Sequence, residues 1–112
     1  MENFLVVAVI VVLVIIFLYK NHSVKVYRFH RPTCPYCVRS QSEWDHFKRK
    51  CKTKLIDCKD INLNDGSHES MALAAEFNIK SVPTIIAIKD DRVYEYKGNR
   101  SSNDLERWVC SL

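Results

Sequence analysis

The sequence predicts an α/β domain, a central mixed β-sheet flanked by helices, preceded by one transmembrane helix. Three observations predict it. The chain of 112 residues opens with an unbroken run of 16 apolar residues, Phe4 to Tyr19. Beyond the run, alternating segments and helical segments succeed one another in the order strand, helix, strand, helix, strand, strand, helix, the order of a sheet covered by helices. Finally, about 90 residues remain after the run, enough for one hydrophobic core and not for two. The expected division is an anchor over residues 1–21 and one domain over 22–112.

The anchor follows from length and flanks. A helix crossing the hydrocarbon needs roughly 20 apolar residues, with about 17 as the lower limit. Phe4–Tyr19 approaches this, with Met1 extending one side and Lys20 able to snorkel on the other. A cleaved signal peptide would want a basic n-region and small residues before the cut. Here the n-region is Met1-Glu2-Asn3, and Leu18-Tyr19-Lys20-Asn21-His22 offers no such site. The expectation is therefore an uncleaved, single-pass anchor, with the membrane contacted by residues 4–19. Lys20, Lys25, Arg28 and Arg31 follow the run while only Glu2 precedes it, which leans the domain toward the cytosol. Two N-x-S sequons, at Asn21 and Asn99, point toward a lumenal side instead.

In the domain, Val24-Lys25-Val26-Tyr27-Arg28-Phe29 alternates and is rich in strand formers. It ends at Arg31-Pro32. The helix opened by Thr33-Cys34-Pro35-Tyr36-Cys37 runs to about Lys50, with Val38, Trp44, Phe47 and Cys51 as its apolar stripe. A second strand lies within Leu55–Leu63, and the turn Asn64-Asp65-Gly66-Ser67 leads into a short helix that ends near Asn78. Ile85–Ile88 reads as a central strand. Asp90-Asp91 turns into Arg92–Tyr96, and Ser101-Ser102-Asn103-Asp104 caps a last helix whose apolar face is Leu105, Trp108 and Val109.

Charge is mildly basic: 17 Lys and Arg against 13 Asp and Glu, a net of +4. This is too weak and scattered to argue for nucleic acid, and no nucleic-acid partner is expected. The dense patch from Lys48 to Lys54 has two readings, a solvated helix C-terminus whose cations suit the dipole, or a surface for anionic headgroups or acidic partners. Five cysteines are an odd number and do not form a fully paired disulfide framework.

Cys34 and Cys37 carry the chemistry. A C-x-x-C opening a helix sets its first cysteine beside free backbone N–H groups and the positive end of the dipole. That favours the thiolate, which makes Cys34 the nucleophile and Cys37, one turn on, the thiol that resolves a mixed disulfide. Pro35 suits the first turn. A zinc site would need a second ligand pair, and His30 or Cys51 would have to be recruited without a second C-x-x-C; a purely structural disulfide is the other alternative. No metal and no cofactor beyond a redox-active Cys34–Cys37 disulfide are expected.

Phe29-x-x-Pro32-x-Cys34-x-x-Cys37, then Phe77-Asn78-Ile79-Lys80-Ser81-Val82-Pro83-Thr84, then Tyr96-Lys97-Gly98-Asn99-Arg100 resembles the thioredoxin superfamily over residues 24–110. The last segment looks most like thioredoxins and the catalytic domains of protein disulfide isomerases. The resemblance implies a thioredoxin-like fold and a cis Val82–Pro83 peptide packed against the active cysteines. It also implies that Val82 pairs with an extended substrate as a short strand, recognition by β-augmentation, with Pro83 and Tyr36 on the same substrate-facing surface. Arg100 matches the isomerase arginine that swings toward the second cysteine; a surface arginine after a turn is the other reading.

Departures from the pattern matter too. Cys34-Pro35-Tyr36-Cys37 is the glutaredoxin tetrapeptide, yet the Gly-Gly and acidic motif that holds glutathione is replaced by Ile85–Arg92. The tryptophan before the first cysteine is Thr33, and the buried acid six residues before it is Arg28. An isolated buried arginine is costly, so Arg28 is expected to be partly solvated or paired.

The reading is a membrane-anchored thiol–disulfide oxidoreductase acting on protein dithiols or disulfides, with no upstream reductant or oxidant named by the sequence. The alternatives are a tethered interaction module without turnover and a glutathione-dependent, glutaredoxin-like reductase. Small tethered members of this superfamily occur in large DNA viruses as well as in cells.

Overall fold

The computed structural model describes residues 2–21 and 23–112, with side chains over 3–18 and 23–112. Eight elements follow in order: α1 (Glu2–Asn21), β1 (Val24–His30), α2 (Pro35–Lys52), β2 (Ile56–Asn62), α3 (His68–Glu76), β3 (Thr84–Lys89), β4 (Arg92–Glu95) and α4 (Ser102–Ser111). The strands form one mixed sheet ordered β2-β1-β3-β4, with β1 parallel to β2 and antiparallel to β3, and β4 antiparallel to β3. The expected α/β architecture is what forms.

Period-two alternation sorts side chains to the two faces of this sheet. Val24 and Val26 of β1, with Ile85 and Ala87 of β3, join Trp44, Phe47 and Cys51 of α2 and Leu105 and Val109 of α4 in one core. On the other face Phe29, Ile61 and Ile86 pack with Leu73, Ala74, Phe77 and Ile79 from the α3 region. Each core is thus written by alternate residues of the same strands. The expected apolar stripe of α2 needs one correction: Val38 is 60% exposed, while Cys37 is buried in its place, because Cys37, Trp44, Phe47 and Cys51 fall on one helical face and Val38 lies about 100° around from Cys37.

Side chains end the elements. Ser67 caps α3 by accepting from Ser70 N at 3.1 Å, and Asp65 braces that cap by accepting from Ser67 N and Ser70 Oγ, both at 2.9 Å. Asn78, at φ 53°, takes the left-handed position just past α3. Ser101 caps α4, accepting from Asp104 N at 3.2 Å. Asp90 and Asp91 both have positive φ, 53° and 62°, as a two-residue turn matched to strand twist requires.

The first element bears on the expected anchor. Residues 2–21 are helical, and the side chains from Phe4 to Leu18 are exposed. Among the described residues, however, no helix is long and apolar enough to cross a membrane. The described apolar side chains cover 4–18, about 22 Å of helix at about 1.5 Å per residue, against a hydrocarbon core of about 30 Å. Met1 and His22, and the side chains of Tyr19, Lys20 and Asn21 invoked for snorkelling and for the first sequon, lie outside the described residues.

Candidate active site

Cys34 is the N-cap of α2, in extended conformation at φ −80° and ψ 119°, and its Sγ accepts from Cys37 N at 3.2 Å. Pro35 occupies the first turn, and that turn holds no acidic residue to oppose a negative sulfur. The Cys37 thiol above all, and then the backbone amides of Cys37 and Tyr36, pull the Cys34 thiol below its ordinary value against desolvation, with the Arg28 charge adding least. Cys37 is 2% exposed. Burial pushes its thiol up, and sharing its proton with Cys34 pushes it further. The two sulfurs are therefore unlike, one accessible and acidic, the other sheltered and protonated. All five cysteines are free thiols.

The loop before β3 meets this cap. The Val82–Pro83 peptide is cis, as the resemblance implies, and Cys34 Sγ lies 3.8 Å from the Val82 carbonyl oxygen. Pro83 is buried and Val82 half-buried. Tyr36 is 64% exposed beside the cap, with the Arg39 guanidinium 4.5 Å from its ring centre. The C-x-x-C and the Val-Pro-Thr element thus reach one end of the sheet from separate strand–loop junctions. Arg100 is placed there as well, but its Nη2 donates to the Pro83 carbonyl at 3.0 Å and so ties the loop before α4 to the loop before β3.

Arg28 takes the second of its two expected states, that of a paired group. It is fully buried, at 0% exposure, rather than partly solvated. Neutral acceptors satisfy it: Nη1 donates to Gln41 Oε1 at 2.8 Å, and Nη2 to the Cys37 carbonyl at 2.8 Å and to Ser40 Oγ at 3.1 Å. The Trp44 ring lies 5.9 Å away. Desolvation pulls the guanidinium below its ordinary value, while Cys37, Asp60 and Asp45 hold it up. Gln41 and Ser40 were not among the residues singled out from sequence. The signal was present, since Val24, Val26 and Arg28 share the inward face of β1 and an inward charge must find partners on the helix above it.

The other cysteines stand apart from this site. Cys51 of α2 and Cys58 of β2 share a thiol hydrogen bond in the core, which lowers Cys51 and raises Cys58. Cys110 is exposed, with Sγ 4.0 Å from Lys54 Nζ. Cys51 and His30 are not brought together with Cys34 and Cys37, and among the described residues no group of three or more His, Cys, Asp or Glu could hold a metal ion. In the basic patch, Lys48 pairs with Asp60 at 2.6 Å, and Lys50 and Lys54 pair with Glu106 at 3.2 and 2.6 Å. The Asp60 carboxylate also accepts from the Trp44 indole N–H.

Comparison with known proteins places these features in context. The family model for Thioredoxin matches residues 16–111. Human protein disulfide-isomerase TMX3 is 27% identical over 86 residues, covering 77% of this chain and 18% of that protein. Human thioredoxin-related transmembrane protein 1 is 27% identical over 81 residues, covering 72% of this chain and 28% of that one. The chain therefore spans only between 16% and 28% of the length of these curated relatives. Among solved structures, thioredoxin-2 of the malaria parasite, described as a component of the protein secretion machinery, aligns with a TM-score of 0.67 at 27% identity, covering 80% of this chain and 84% of that one. Human ERp44 aligns with a TM-score of 0.68 at 15% identity, covering 81% and 26%, a likeness of fold alone.

Proposed function

Because the chain belongs to the thioredoxin family, we propose that it is a thiol–disulfide oxidoreductase exchanging dithiols and disulfides with protein substrates through Cys34 and Cys37. One observation carries the proposal. The accessible Cys34 sulfur accepts from the amide of its own helix N-terminus and lies 3.8 Å from the Val82 carbonyl, at the edge an extended polypeptide would join. In the reductive direction the Cys34 thiolate attacks a substrate disulfide, forming a mixed disulfide and expelling one substrate thiolate. Cys37 gives up its proton and attacks Cys34 Sγ, expelling the second and leaving the Cys34–Cys37 disulfide. The oxidative direction is the reverse. Two electrons and two protons move between the pairs, so the two sulfurs are the redox centre and the reaction draws on no other cofactor. Val82 supplies backbone pairing, Pro83 and Tyr36 border the substrate, and Arg100 holds the loop that carries Val82.

The second part of the proposal is that α1 tethers the protein to a membrane. Its large apolar side chains from Phe4 to Leu18 are 47–77% exposed, all round the helix, which is a surface suited to lipid rather than water. Two relatives carry "transmembrane" in their names. Full-length protein retained in the carbonate-washed membrane pellet supports the tether; recovery of a chain starting near His22 in the supernatant refutes it.

The enzymatic reading is tested by insulin reduction. Wild-type protein should precipitate insulin in the presence of dithiothreitol well above background, and Cys34→Ser should not. Equal rates for the two would leave an interaction module without turnover.

A further inference from the structure

We propose that Arg28 is a positioning residue that makes the Cys34–Cys37 pair a disulfide donor, by fixing a buried positive charge behind the dithiol. This rests on the exchange chemistry proposed above and assigns its direction.

The electrostatic reasoning is short. A disulfide is neutral, whereas the reduced pair holds a thiolate on Cys34. A cation fixed nearby lowers the free energy of the reduced, charged form and leaves the disulfide almost untouched. The reduced form gains, so the disulfide becomes a stronger oxidant.

Three features make Arg28 such a cation. It is inaccessible to water, at 0% exposure, so solvent screens it little. It stays charged at all working pH values because guanidinium does not give up its proton in proteins. Its place is set by donors to Gln41, Ser40 and the Cys37 carbonyl at 2.8–3.1 Å, the last of these being part of the redox pair itself. Its charge is also not ion-paired. Among the described residues no carboxylate lies within ion-pair distance of it. Asp60, its neighbour across the β1–β2 ladder, is engaged by Trp44 and Lys48, and Asp45 lies beyond Gln41, accepting from Gln41 Nε2 at 3.0 Å. An arginine needed only to fill space would be better replaced by an apolar side chain, since its charge is costly to bury.

The favoured step is then oxidation of a substrate dithiol. A substrate thiolate attacks Cys34 Sγ of the disulfide, the Cys34–Cys37 bond breaks, and Cys37 leaves and takes a proton. The second substrate thiol loses its proton and attacks the substrate sulfur of the mixed disulfide. Cys34 leaves as the thiolate that Arg28 favours, and the substrate holds the new disulfide. A small-molecule or protein disulfide then reoxidises the pair.

The test is the equilibrium of the Cys34/Cys37 pair in the full chain against reduced and oxidised glutathione, read by thiol alkylation and gel shift. Arg28→Gln should move the constant toward the disulfide by about threefold or more, as expected for a buried charge held on the Cys37 carbonyl, and Arg28→Lys should stay near wild type. A second variant avoids dependence on the folding of Arg28→Gln. The exchange Gln41→Glu with Asp45→Asn keeps the charge count and brings a carboxylate onto Arg28, and should move the constant the same way by severalfold. Equilibration with an unmoved constant in the charge-altering variants that fold would overturn the assignment of Arg28 alone. Failure of the wild-type pair to exchange with glutathione at all would instead overturn the oxidoreductase reading beneath it.

Discussion

Arg100 donates to the Pro83 carbonyl at 3.0 Å across 17 residues of sequence, which ties the loop that caps α4 to the loop that borders Cys34. An arginine free to reach Cys37 would leave the Val82 edge unheld; in this arrangement it braces that edge.

Arg100→Ala should therefore lower kcat/KM for a protein substrate by about tenfold while leaving the rate of Cys34 alkylation within about twofold. A hydrogen bond from a charged group contributes about 1.5–3 kcal/mol, and on the proposed reading it acts on substrate pairing rather than on the sulfur. Insulin turnover and iodoacetamide kinetics on the same preparation separate the two effects. A fall in alkylation as large as the fall in turnover would place Arg100 at the thiol instead.

The pH dependence of the two active-site thiols should diverge. Hydrogen bonds hold Cys34 below the ordinary thiol range and burial holds Cys37 above it. Only the thiolate reacts. Cys34 should thus keep reacting with iodoacetamide as the pH falls below the range of a free cysteine, and lose reactivity only on passing its own lowered value. Cys37 should react slowly until the pH rises above that range. Mass spectrometry of protein labelled at stepped pH values resolves the two; equal profiles would contradict the asymmetry of the cap.

Cys37→Ser should trap mixed disulfides with proteins. The resolving thiol is gone, Cys34 still attacks, and the stalled bond persists. Non-reducing gels of a membrane fraction should show adducts that dithiothreitol releases and that Cys34→Ser fails to form. Capture of glutathione alone would show that the Val82 edge does not select polypeptides.

Leu55→Gly should stabilise the fold. Leu55 sits at φ 58° with its side chain 65% exposed, a left-handed position that costs a residue with a Cβ about 1–2 kcal/mol. Glycine removes that strain and gives back part of it as unfolded-chain entropy. The net gain is about 0.5–1 kcal/mol, a rise of about 2–6 °C in Tm by calorimetry. An unchanged or lower Tm would mean that the exposed leucine packs against something in solution.

Most of the domain was legible because its signals are local. Val24 to Phe29 alternates, and β1 covers Val24–His30; Ser67 and Ser101 each stand where a cap is needed. The cysteine pair and the Val-Pro-Thr element could be placed at one end of the sheet because each follows or precedes a strand. What the pattern did not contain was anything set by packing between distant segments. The Val38 misreading arose because a helix of 18 residues with few apolar positions admits two stripes, and only the sheet beneath it chooses. For Arg28 a single sequence shows the cost of burial, and so the need for solvent or partners, but not that the partners are Gln41 and Ser40, 13 and 12 residues on. The Cys51–Cys58 contact was equally invisible, since it joins a helix end to a strand through register alone.

Strand β1 also acts as a ruler. Its seven residues separate the end of the domain next to α1 from the end where Cys34 caps α2, about 23 Å at about 3.3 Å per residue. If a surface grips α1 as proposed, the reactive sulfur stands about one strand length from that end of the domain. Cysteines lying flat on that surface are out of reach, and those on loops standing about that far off are met edge-on.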